Sequence, residues 1–76
     1  MTPTRLVECL DIIRWTSLDL AEVLECDFKL VEAWLEGIED VPPKVAAWIE
    51  TLATAHAAAI REKPKSMKGK RLKGVQ

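Results

Sequence analysis

Seven cations crowd the stretch 61–76: Arg61, Lys63, Lys65, Lys68, Lys70, Arg71 and Lys73, against one carboxylate, Glu62. Ammonium and guanidinium groups at this density suit phosphate, because each that meets a nucleic-acid backbone releases a condensed counterion. A segment that neutralised ~5 phosphates would give a salt slope of about -4 to -5. No aromatic ring interleaves these cations, which argues against stacking on single-stranded bases. A solubilising tail, or one that leans back on the body and masks it, is the alternative. The body is suited to such masking. Residues 1–60 hold four cations against eleven carboxylates, or -7, whereas 61–76 hold seven against one, or +6. An acidic body therefore carries a basic tail.

Other chemistry finds little material. His56 is the single histidine and has no Cys, Asp or Glu at ligand spacing. Cys9 and Cys26 are too far apart for a metal motif or a disulfide framework. They are expected as reduced thiols in a cytoplasmic protein. No Ser/His/Asp or Cys/His set can be read. Gly37, Gly69 and Gly74 form no phosphate loop. A helical core of some 60 residues leaves little room for a catalytic cleft. We therefore expect a non-enzymatic chain with no cofactor, no metal and no small-molecule substrate. The first residues lack a basic run followed by an apolar one, so no leader is expected. The uncharged stretch 51–60 falls far short of the ~20 apolar residues of a membrane span.

The elements that would position any site follow from spacing and caps. Thr2-Pro3 reads as a cap followed by proline at the first helical position, opening a helix to about Arg14 with Leu6, Leu10 and Ile13 inward. Val7 and Cys9 are expected at its flanks, and Trp15 packs back on the core. Thr16 and Asp19 have capping-box spacing for a second helix ending near Leu24, with Leu20, Ala21 and Leu24 on one face. Only Glu25-Cys26-Asp27 separates it from a third helix, Phe28 to about Glu36, with Leu30, Val31, Trp34 and Leu35 inward. So short a joint requires the two helices to cross steeply, as a helix-turn-helix does. Ala21 permits close approach, and Cys26 plugs the turn. Asp27 caps the third helix and Gly37 ends it, with Ile38 tucked under Trp34. Pro43 opens a fourth helix with Val45, Trp48, Ile49 and Leu52 on one face, which Pro64 stops. The three tryptophans are expected to converge.

This pattern resembles the helix-turn-helix of the phage-repressor and Cro-like family. The residues that carry the likeness are Leu20-Ala21, Leu24, Val31, Trp34-Leu35 and Gly37, then Val41-Pro42-Pro43, Val45, Trp48, Ile49 and Leu52. The resemblance spans roughly residues 6–52 and rests mostly on core positions. It implies a small bacterial- or phage-type transcription regulator whose second motif helix enters the major groove of double-stranded DNA. The residues it places at that surface are Asp27, Phe28, Lys29, Glu32 and Ala33. Ser17 falls where the preceding helix meets a phosphate. The tail cations Lys63, Lys65, Lys68, Lys70, Arg71 and Lys73 would add backbone contacts. A homodimer is also implied, with two reading helices set about 34 Å apart. The family usually has glycine where this chain has Glu25, a place that tends to need left-handed backbone.

One feature runs against that reading. Asp27, Glu32 and Glu36 outnumber Lys29 on the helix that should meet phosphate. A second reading therefore stands beside the first: a helix-turn-helix scaffold that binds a protein through its acidic face. A continuous negative patch around the third helix, uncompensated by Arg14, Lys44 or the tail, would favour it. In both readings the fold is all-α, a compact bundle of four to five helices over 1–62, with a disordered basic tail at 63–76.

Overall fold

The structure is a computed structural model that describes residues 1–72. Among these residues it contains four helices and no strand. The first, α1, spans Pro3–Ile13, and Thr2 Oγ1 accepts the Arg5 N–H at 3.0 Å across its first turn. Leu6, Cys9, Leu10 and Ile13 are buried along one stripe. Cys9 is fully enclosed, not flanking, whereas Val7 is exposed. Arg14 ends α1 in left-handed backbone, φ 63°, which lets the Trp15 N–H return to the Leu10 carbonyl at 3.0 Å. The return folds the Trp15 ring against the core.

The second helix, α2, spans Ser17–Leu24 and opens on a complete capping box. The Asp19 N–H donates to Thr16 Oγ1 at 3.1 Å, and the Thr16 N–H donates to Asp19 Oδ2 at 2.8 Å. Leu20 and Ala21 are its buried residues. Glu25 takes the left-handed conformation that closes α2, φ 54°, and the Cys26 N–H reaches back to the Ala21 carbonyl. A side chain at that backbone costs about 1–2 kcal/mol, which the surrounding packing must supply. The third helix, α3, spans Phe28–Glu36. Asp27 caps it by accepting the Lys29 N–H at 2.8 Å, and Gly37 closes it at φ 78°.

Val31 and Trp34 are buried on α3, and Leu35 and Phe28 are half-buried against the core. Leu30 is 39% exposed and Ile38 71% exposed, so neither joins the core as its spacing suggests. Leu30 sits about 100° around the helix from Val31, on a side more open than that of Val31. Val41, three residues on, is buried in the core instead. The fourth helix, α4, spans Pro43–Arg61, with Ile49 and Ala53 fully enclosed and Val45, Trp48 and Leu52 half-buried. It packs chiefly on α1. In turn, α1 packs on α3, and α3 on α2.

The tryptophans do not all converge. Trp15 and Trp48 pair with ring centroids 6.0 Å apart, while Trp34 is buried without an aromatic neighbour among the described residues. No helix among those residues is long and apolar enough to cross a membrane. Beyond α4, residues 62–72 are exposed and form neither helix nor strand.

Candidate functional site

The surface to be judged is the outer side of α2, the three-residue joint and α3. Ser17 is the first residue of α2 and half-buried. Asp27 is exposed, but one of its oxygens already accepts the Lys29 N–H. Phe28 leans into the core and shows only part of its ring. Lys29 and Glu32 are exposed on the following turn, and Ala33 is half-buried. Phe28, Lys29, Glu32 and Ala33 thus lie on the first two turns of α3, with Asp27 as its cap.

The charge on this surface is one-sided. Asp19, Glu22, Glu25, Asp27, Glu32, Glu36, Glu39 and Asp40 are all exposed, and Lys29 is the one cation between Ser17 and Asp40. None of these eight carboxylates pairs with a lysine or arginine among the described residues, and neither does Lys29. Leu18, Val23, Leu30 and Ile38 lie exposed among them. Lys63, Lys65, Lys68, Lys70 and Arg71 are exposed past the end of α4. Lys73 lies outside the described residues.

Two arrangements escape the sequence reading. The first is the meeting of Arg5 with Glu50, where Nη2 stands 2.7 Å from Oε1 and Nε 2.9 Å from Oε2. The Cys9 thiol also donates to Glu50 Oε1, at 3.6 Å. Hydrogen bonds from Arg5 hold the Glu50 carboxyl below its ordinary range, against a weaker push from burial. The same bonds raise the Arg5 guanidinium further. Burial first, and then the Glu50 charge, push the Cys9 thiol up. A thiol held protonated in this way is a poor nucleophile. The second arrangement is an open groove between α1 and α4 where Asp11, Arg14, His56 and Arg61 come together. Forty-two or more residues of chain separate its two sides, so no local pattern announces either grouping. Among the described residues, no three His, Cys, Asp or Glu side chains gather as metal donors would.

No family model matches this chain, and neither a curated protein nor a solved structure matches it.

Proposed function

We propose that the chain is a small, non-enzymatic DNA-binding regulator of the phage-repressor and Cro-like kind, in which α2, its three-residue joint and α3 form a helix-turn-helix. The observation that carries this reading is the build of that unit. Two short helices, each with its own side-chain cap, pack on each other across Glu25-Cys26-Asp27 and present the start of α3 outward. Lys29 is the cation of α3 best placed for a base edge or a phosphate, and Ser17 stands at the start of α2 for a second phosphate. The eight carboxylates oppose DNA, so the affinity resides in the basic tail and depends steeply on salt. Fluorescence anisotropy of a labelled duplex at low salt tests this. Binding should appear, and should weaken when the chain is cut after Glu62. Absence of binding to any duplex, including sequences selected from a random pool, would refute it.

The unpaired carboxylates with Leu18, Val23, Leu30 and Ile38 among them favour a second reading, a module that binds a basic, partly apolar protein segment. NMR shift mapping separates the two. Perturbation of Lys29 and Glu32 on adding duplex supports the first. Perturbation of Glu22, Leu30 and Glu36 by a basic amphipathic peptide, with no response to duplex, supports the second.

A further inference from the structure

We infer that the groove between the C-terminal ends of α1 and α4 is a phosphate-binding site, which takes a backbone phosphate of the duplex; this extends the DNA-binding reading above. The groove has a volume of about 370 Å³ and is open to solvent, with Asp11, Ile12, Arg14, His56, Ile60 and Arg61 around it. Arg14 and Arg61 bring two guanidiniums from helices far apart in sequence. Neither is ion-paired among the described residues, although Asp11 lies in the same groove. A guanidinium is a planar fork of donors that matches the oxygens of a phosphate, and the two must offset both Asp11 and the negative C-terminal ends of α1 and α4. His56 adds a ring N–H, which imidazole carries in either neutral tautomer. Ile12 and Ile60 line the same groove as apolar walls.

The position of the groove makes it more than a pair of surface cations. Arg14 is the left-handed cap of α1, and the chain turns there directly into Thr16 and the first residue of α2, Ser17. Arg61 is the last residue of α4, from which the basic tail departs. The groove therefore bridges the tail and the entry to α2. A strand held by the tail can continue across Arg61, His56 and Arg14 to Ser17. The groove and the tail together would then supply the attraction that the carboxylates of α3, with Asp11 and Asp19 nearby in the chain, oppose.

Two measurements on the full chain test the site. In the first, inorganic phosphate is titrated and followed by NMR. The His56 ring and the Arg14 and Arg61 side-chain resonances should shift together, and Arg14→Gln with Arg61→Gln should abolish the response. In the second, duplex anisotropy is measured across a range of salt. The double variant should bind roughly tenfold more weakly at low salt, with a salt slope smaller by about 1, for the one phosphate the groove holds. Both cations are exposed, so the variant should keep the wild-type helix signal, and Lys44→Gln serves as a charge control. Duplex binding with unchanged affinity and slope in the double variant overturns the site and leaves the DNA reading intact. Phosphate shifts without duplex binding keep the site and overturn the DNA reading. Absence of both removes the two together.

Discussion

The Arg5 guanidinium grips the Glu50 carboxylate with two nitrogens across 45 residues of sequence, and the same carboxylate accepts from Cys9. The contact joins the first turn of α1 to the middle of α4, the two helices that share the largest interface. Both side chains remain partly exposed, so water screens the pair. Its pH signature is nonetheless clear in sign. Glu50 titrates lower in the folded chain than its ordinary 4.5, so the unfolded chain binds the extra proton first. The stabilisation is present above that ordinary value and is lost as pH falls through the depressed one. Glu50→Gln should lower the melting midpoint by a few degrees near neutral pH, and the gap from wild type should close in acid. Denaturation curves of both proteins, taken stepwise from neutral pH down through the acid range, check this. A gap that persists in acid would mean the variant harms packing and not charge.

Cys9 and Cys26 should separate cleanly in their reactivity. Cys9 is fully enclosed and burial raises its thiol, whereas Cys26 is half-buried within the joint. Alkylation by iodoacetamide, read by mass spectrometry, should label Cys26 in the folded chain and Cys9 only after denaturant is added. Equal labelling rates would show that α1 opens readily from α4.

Two left-handed positions, Glu25 and Gly37, invite a backbone test. Glu25→Gly should stabilise the chain by ~0.5–1 kcal/mol, since glycine removes the strain at φ 54° and lets the unfolded chain reclaim part of the gain. Gly37→Ala should do the reverse by ~1–2 kcal/mol, because φ 78° is strained for alanine, while the added carbon would make only ordinary contact with the Pro3 ring at 3.4 Å. Urea titration of both variants measures the two signs.

Core and surface leucines should differ sharply. Leu20→Ala removes a side chain with no exposure and should cost ~2–5 kcal/mol, a large share of the stability of so small a domain. Leu30→Ala, on the open side of α3, should stay within ~0.5 kcal/mol of wild type. If Leu30 is instead part of a binding surface, its loss appears in partner affinity with stability unchanged.

How far the sequence carries depends on how local the interaction is. Thr2, Thr16 with Asp19, Asp27 and Gly37 are all legible, because a cap and its partner lie within three or four residues. The buried stripe of α1 and the Val31–Trp34 pair are legible from period alone. Leu30 and Ile38 are not, since apolar spacing does not reveal which side of a short helix finds a neighbour. Cys9 reads as a flank position for the same reason, though it is fully enclosed. Arg5–Glu50 and the Arg14–His56–Arg61 grouping depend on how α1 meets α4, and nothing local in the chain encodes that meeting. The outward residues of α3 are legible as positions, but their charge leaves the partner open.

The Trp15–Trp48 contact gives the molecule a built-in optical gauge. One indole sits on the short connector ahead of α2, and the other rides on the first half of α4. Any docking event that swings α2 and α3 against the remaining scaffold must pull on that connector and change the coupling of the two chromophores. Emission and near-ultraviolet dichroism of the unlabelled protein would then report such a swing directly.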